Sequence, residues 1–296
     1  GMGVGVSLSS LAGNVAKCGG IGTISGVHPG YKEADFKENP FRANLRAIGN
    51  ELEKAKEIAN GGIIGFNFMT VMNHYEEYVK EAIAAGADFI VSGAGLPVNL
   101  AKYAAGTRAA ILPIVSSARA LKLIVKQWQR ADRLPDAVVV EGPLAGGHLG
   151  YPYGHLVDGT FDTLEDSLVD VVDYVRELEE KNGVKIPVIA GGGVRNHADV
   201  ERLMALGASG VQVGTKFVAT EECDAAPAFK QAYLRSRKED VQLIESPVGL
   251  AARAIRNSFL EKVEKQGRIP VQRCYQCMNH CKQAETKYCI SQALID

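Results

Sequence analysis

Seven short runs of apolar residues alternate with amphipathic segments along the middle of this chain. Each run is rich in valine and isoleucine and is apolar on consecutive rather than alternate positions. This pattern is typical of strands that are buried on both faces, as the strands of parallel sheets are. The alternation therefore predicts a parallel α/β protein. The runs are residues 21–25, 63–69, 89–92, 110–115, 137–140, 187–190 and 210–213.

The segments between the runs have helical periodicity. In residues 163–181 the apolar side chains recur on one stripe, and Thr163 with Asp166 forms a capping start. Asn196 is placed to cap a second helix over residues 199–206. The chain thus predicts seven units of a strand followed by a helix.

Two architectures fit seven such units, a doubly wound sheet and a TIM-type (β/α)8 barrel. The length of 296 residues favours the barrel. Residues 1–6 are too rich in glycine for a regular strand, and residues 10–17 already resemble the following helix. We expect the first strand to lie upstream, so that the chain begins in the loop at its end; a short distorted strand at residues 3–7 is the alternative. We predict a barrel over residues 1–267 and a cysteine-rich segment over residues 268–296.

Composition and charge exclude several classes of protein. Hydrophobic residues make up 46%, which excludes a disordered chain. Lys and Arg number 33 against 34 Asp and Glu, so no overall field attracts nucleic acid or an anionic membrane. The most apolar long stretch, residues 82–101, contains Asp88 and Pro97, which a membrane-spanning helix rarely carries. We expect a soluble cytoplasmic protein with a small-molecule ligand; a homodimer is left open.

Glycines and polar residues gather where the predicted strands end, which is where parallel barrels form their active sites. Asn67 belongs to this set. The turn at residues 191–193 is all glycine, and Gly214 with Thr215 follows the next run. Two such turns on neighbouring strands predict a phosphate site, because glycine lets backbone N–H groups approach the oxygens closely. Motifs for a nucleoside triphosphatase or a Rossmann dinucleotide site are missing.

His148 is the strongest catalytic candidate. It lies in the glycine-rich segment 141–150 that follows the fifth run, rather than on an apolar helix face where a packed structural histidine is expected. A neutral imidazole at that place can accept or donate a proton near pH 7. Tyr151, Tyr153 and His155 follow closely and are candidates for a roof over the pocket.

The motif VEGxxAGGHxG at residues 140–150 resembles the signature of the nitronate monooxygenase (2-nitropropane dioxygenase) family. That family also contains flavin-dependent enoyl-acyl-carrier-protein reductases. Residues 187–193, 207–217 and 246–254 resemble its later motifs, and Gly1-Met2 resembles the end of its first-strand motif. The resemblance extends from residue 1 to about residue 260.

This resemblance implies a barrel that binds FMN. It assigns the FMN phosphate to Gly191, Gly192, Gly214 and Thr215. It places the rest of the cofactor beside Met2, Gly3, Asn67, Glu141, Gly146 and Gly147. It makes His148 the acid or base that faces the flavin. The chain departs from the family pattern in lacking the first strand, which leaves the Met2 contact and the flavin affinity open.

Four of the six cysteines lie within 16 residues near the end of the chain. This density favours metal binding over disulfides in a chain of cytosolic character. The candidates are a [4Fe–4S] cluster, a zinc ion or free thiols, and His280 could replace one thiolate. Cys18 and Cys223 are expected in the core. The predicted ligands are Cys274, Cys277, Cys281 and Cys289.

Three functions follow from these observations. The first is oxidation of alkyl nitronates by FMN and O2 to a carbonyl compound and nitrite. The second is an acyl-chain dehydrogenase/isomerase or enoyl reductase that acts on acyl carrier protein, because the cysteine tail resembles that of an iron–sulfur subset of the family. The third is a phospholigand-binding barrel without catalytic activity.

Overall fold

The computed structural model describes residues 1–279 and 281–295. Its main sheet has seven parallel strands, each paired with the next one along the sheet. In sheet order the strands are β1 (Ile21–Ser25), β2 (Ile63–Met69), β3 (Phe89–Gly93), β4 (Ala110–Val115), β5 (Val138–Glu141), β7 (Val188–Gly191) and β8 (Gly210–Gln212). A smaller antiparallel sheet contains β6 (Gly147–His148), β10 (Ala251–Ile255) and β9 (Val241–Glu245).

Helices surround the main sheet. They are α1 (Ser9–Lys17), α2 (Pro40–Ala59), α3 (Tyr75–Ala84), α4 (Leu100–Tyr103), α5 (Ala118–Trp128), α6 (Tyr153–Asp158), α7 (Leu164–Asn182), α8 (His197–Ala205), α9 (Thr215–Val218), α10 (Pro227–Arg235), α11 (Ser258–Gln266) and α12 (Ile290–Ile295). None of the helices in the described part of the chain has the length and apolarity that crossing a membrane requires.

The seven predicted strands are confirmed, with ends that differ by one residue in β3, β5, β7 and β8. Both predicted helix starts are also confirmed. The Thr163 hydroxyl accepts from the Asp166 amide while the Asp166 carboxylate accepts from the Thr163 amide, and Asn196 forms the same capping box with Asp199.

The sheet curls into an incomplete barrel of the TIM type. Among residues 1–279 and 281–295 no strand pairs with the free edges of β1 and β8. The alternative of a strand at residues 3–7 is wrong, because this segment folds back on itself. The Ser7 amide donates to the Met2 carbonyl, and the Met2 amide donates to the Ser7 hydroxyl.

Apolar side chains cover both faces of the seven-stranded sheet. A large core lies between the sheet and the helices, and it contains Phe66, Ile90 and Trp128. A second cluster is formed by alternate residues of β3, β4 and β5, including Phe89 and Val139, and it fills the barrel interior. Burial of this kind on both faces is the reason why the strands are apolar at consecutive positions.

The small sheet and helix α6 were not predicted. Tyr153 and His155, which the sequence identified only as candidates for a roof over the pocket, lie on the helix Tyr153–Asp158. Strands β9 and β10 form a hairpin that covers the segment containing His148. The two strands of the hairpin flank the turn Ser246-Pro247-Val248-Gly249, which the sequence identified only as a motif.

Candidate active site at the mouth of the barrel

Parallel pairing brings the carboxyl ends of five strands, four of them with a polar residue, to one end of the barrel. Ser25 is paired with Asn67 across β1 and β2, and Glu141 is paired with Gly191 across β5 and β7. Gly191 is in turn paired with Gln212 of β8. The predicted gathering of these residues at the carboxyl ends of the strands is therefore present.

Glu141 is the acidic residue among those named at the carboxyl ends of the strands. Its Oε1 accepts a hydrogen bond of 2.8 Å from Gln212 Nε2. Burial raises the pKa of Glu141, although the Gln212 bond works against this shift. The sequence did not identify Gln212 as a partner of Glu141, from which it is 71 residues away.

Gly146 and Gly147, which are predicted to lie beside the rest of the cofactor, line one wall with Thr215, which is predicted to hold the phosphate. A Cβ atom added to Gly146 would meet only the Thr215 hydroxyl, at 3.5 Å, and one added to Gly147 would meet nothing within 4 Å. A Cβ at Gly214 would lie 3.4 Å from Met2 Sδ. The backbone of Gly146 and Gly147 is therefore open to a ligand, whereas Met2 lies against Gly214.

Gly3 and Asn67 border the same mouth. A Cβ at Gly3 would lie 2.7 Å from Ser25 Oγ, so the backbone of Gly3 lies against the end of β1. The Asn67 amide donates to the Val91 carbonyl at 3.3 Å. The structure therefore brings the predicted cofactor residues to one end of the barrel; that they bind a cofactor stays a prediction.

His148 lies on β6 and is half-buried. Its Nε2 is 2.7 Å from Ser246 Oγ, in the turn between β9 and β10. Burial lowers the pKa of His148, and no charged neighbour contributes to the shift. The imidazole is therefore neutral at pH 7, as a general base requires.

A family model described as nitronate monooxygenase matches residues 1–296, which is the whole chain. The chain belongs to the nitronate monooxygenase family. A probable nitronate monooxygenase from Staphylococcus haemolyticus is 35% identical over 136 residues, which are 46% of this chain and 36% of that protein. One from Staphylococcus aureus strain Newman is 35% identical over 140 residues, with the same two shares. The match thus spans little more than a third of these relatives.

Two solved structures share the fold. FabK from Thermotoga maritima has a TM-score of 0.68 and 24% identity, over 90% of this chain and 73% of that one. Nitroalkane oxidase from Streptomyces ansochromogenes has a TM-score of 0.62 and 23% identity, over 88% of this chain and 76% of that one. At these identities the likeness shows the fold alone.

Membership of the nitronate monooxygenase family implies a flavin cofactor, and the site fits one. Gly146 and Gly147 offer backbone without Cβ atoms beside Thr215, which allows the close approach of a ligand there. Gly192 has a φ of +104°, and a Cβ there would lie 3.0 Å from the Ala145 amide nitrogen. Only glycine at position 192 therefore allows the turn after β7 to lie this close to Ala145, in the segment after β5.

We expect Gly192→Ala to weaken flavin binding at least about tenfold, since a left-handed alanine costs about 1–3 kcal/mol and the contact with backbone leaves no room to relax. Gly183→Ala is the matched control, because Gly183 has a φ of +66° and open space around it at the end of α7. Titration of the apoprotein with FMN, followed by quenching of flavin fluorescence, measures both affinities. Equal losses in the two variants would contradict the assignment of Gly192 to the flavin site.

The cysteine segment docks beside the loops that follow β1 and β2. Met278 forms an antiparallel bridge with Met72, and the Asn279 amide donates to the Val71 carbonyl at 2.9 Å. The Tyr275 ring stacks on Phe36 at 5.3 Å. The proposed division of the chain between residues 267 and 268 stays a prediction.

The metal prediction for this segment gains no support. Within residues 1–279 and 281–295, no group of three or more His, Cys, Asp or Glu side chains could hold a metal ion. Cys274 and Cys281 are exposed, and burial raises the pKa of Cys277 to about 11, which favours its thiol form. Cys289 is half-buried. His280 lies outside the described residues.

The two remaining cysteines differ from each other. Cys223 is buried as predicted, and its thiol lies 3.3 Å from the Val6 carbonyl. The prediction of a buried Cys18 is wrong, because Cys18 follows the last turn of α1 and its side chain is exposed.

Proposed function

We propose that this protein is an FMN-dependent enzyme that oxidises alkyl nitronates with O2 to a carbonyl compound and nitrite. Two nitronate ions and one O2 molecule yield two carbonyl molecules and two nitrite ions, which balances atoms and electrons. The observation that carries the proposal is His148, a neutral histidine held by Ser246 beside an open glycine wall. The names of the curated relatives support the same substrate class.

A bound FMN would supply a carrier for the electrons that the nitronate loses and O2 gains in this overall reaction. We assign its phosphate to Gly191, Gly192, Gly214 and Thr215, and its ribityl chain or ring to Asn67 and Glu141. Met2, Gly3, Gly146 and Gly147 complete the proposed cofactor site.

The role of His148 is to handle a proton. In the tautomer in which Nε2 donates to Ser246 Oγ, the nitrogen Nδ1 carries the lone pair. Nδ1 then removes the proton from the carbon of a neutral nitroalkane, and the resulting nitronate is the species that is oxidised. A nitronate supplied as the anion needs no such step.

Oxygen uptake tests the proposal directly. FMN-loaded protein is expected to consume O2 when an alkyl nitronate is added, with nitrite formed at about twice the molar amount of O2. Protein that takes up no FMN would favour the non-catalytic barrel. Flavin that is reduced anaerobically by an acyl chain on acyl carrier protein, but not by nitronate, would favour the acyl-chain enzyme. Bound iron in the same preparation would strengthen that second reading.

A further inference from the structure

Strand β10 of the hairpin pairs along the edge of the segment that contains His148. Ala252 is paired with His148 and Arg253 with Gly147, and the Leu149 amide donates to the Ala251 carbonyl at 2.8 Å. Since side chains alternate along a strand, Arg253 points away from the face that His148 occupies. The hairpin therefore holds one nitrogen of His148 from its turn and offers Arg253 on the opposite face.

Arg253 contacts the start of the same segment. Its Nε donates to the Pro143 carbonyl at 3.0 Å. Between Pro143 and His148 lie Gly146 and Gly147, and glycine has the largest conformational freedom of any residue. Arg253 is thus attached to this segment at both ends, by its side chain at Pro143 and by strand pairing at Gly147.

Among the described residues, no carboxylate forms an ion pair with Arg253. Burial lowers the pKa of its guanidinium, and no carboxylate of the described residues contributes to that shift. The Arg253 side chain supplies the N–H group at Nε, which donates to the Pro143 carbonyl.

We infer that Arg253 is a positioning residue, which fixes the turn at residues 143–147 and thereby holds His148 where it reaches the substrate carbon. The inference rests on the proposed function of His148 as the base. It concerns the N–H at Nε and not the positive charge.

Three substitutions separate the N–H from the charge. In Arg253→Gln the amide nitrogen occupies the same place along the side chain as Nε and carries no charge. The side chain of Arg253→Met is as long as that of the Gln variant but has no N–H group. Arg253→Lys keeps the charge but places its nitrogen one atom further along the side chain than Nε. Because one such hydrogen bond corresponds to about tenfold in rate, we expect kcat for a neutral nitroalkane to fall about tenfold in the Met and Lys variants. It should stay within about threefold in the Gln variant.

The preformed nitronate of the same nitroalkane provides the internal control, because it needs no base. All three variants, loaded with FMN, are expected to oxidise it within about twofold of the wild-type kcat. A loss that is equal for the two substrates would show that Arg253 stabilises the fold or the cofactor site rather than the position of His148. A Lys variant more active than the Gln variant would show that the charge matters; either result overturns the inference.

The same assay on His148→Asn separates this inference from the proposed function. If His148→Asn leaves the ratio of nitroalkane to nitronate activity unchanged, the function of His148 as the base is wrong. If His148→Asn lowers that ratio and Arg253→Met does not, only the positioning function of Arg253 is wrong. If the Met variant does not fold, the Lys and Gln variants decide the question by themselves.

Discussion

His148→Asn is expected to lower kcat/KM for a neutral nitroalkane by about 100- to 10,000-fold, the usual contribution of a positioned general base. Asparagine is polar and can still face Ser246, but it accepts no proton. Burial holds the pKa of His148 below its ordinary value of 6.5. In the wild type, kcat/KM should therefore rise with pH as the imidazolium loses its proton and should level off already near neutral pH.

Two controls identify the cause of this loss. The preformed nitronate should be oxidised at close to the wild-type rate by His148→Asn, since no proton has to be removed from its carbon. His197→Asn changes an exposed histidine of helix α8 and should leave both activities unchanged. Loss of nitronate oxidation in His148→Asn would mean that the residue serves binding or folding rather than proton transfer.

Acidification from pH 6.5 to pH 4 is expected to destabilise the folded protein by about 3 kcal/mol through His28 alone. Burial lowers the pKa of His28 from 6.5 to about 4 in the folded protein, and one pKa unit corresponds to about 1.4 kcal/mol. The unfolded chain takes up this proton first as the pH falls, so unfolding becomes more favourable. The contribution of His28 is complete above pH 6.5 and is lost below pH 4.

The contacts of His28 explain why it resists protonation. Its Nδ1 accepts from the Asn44 amide at 3.3 Å, and the Oδ1 of Asn44 is already bound to the Gly30 amide. Its Nε2 lies 2.9 Å from the hydroxyl of Ser291, on the cysteine-bearing segment. A proton on Nδ1 would place two donors against each other in a site that is 4% exposed.

Urea unfolding at a series of pH values measures this contribution. His28→Gln removes the titrating group and should flatten the slope of the unfolding free energy between pH 4 and pH 6.5. The matched control is His197→Gln, because the His197 side chain is 84% exposed and should leave the slope as in the wild type. A wild-type slope that persists in His28→Gln would show that other groups carry the acid sensitivity.

Much of the barrel could be predicted from sequence because its signals are local. A strand buried on both faces must be apolar at consecutive positions, so β2 and β4 were placed with their exact bounds. Asp166 and Asp199 act three residues after their caps, within the reach of one helical turn. The gathering of polar residues at the strand ends followed from the same rule, since parallel pairing brings Asn67 to the same edge as Ser25.

The sequence by itself determined the seven strands and the family, and it predicts His148 as the catalytic residue. The tertiary structure decided what holds that histidine. Ser246 is 98 residues from His148, and Arg253 is 110 residues from Pro143. The hydrogen bond between His28 and Ser291 connects two residues that are 263 positions apart in the sequence. Hydrogen bonds over such separations depend on how the chain folds back on itself, and periodicity within a short window contains no information about them.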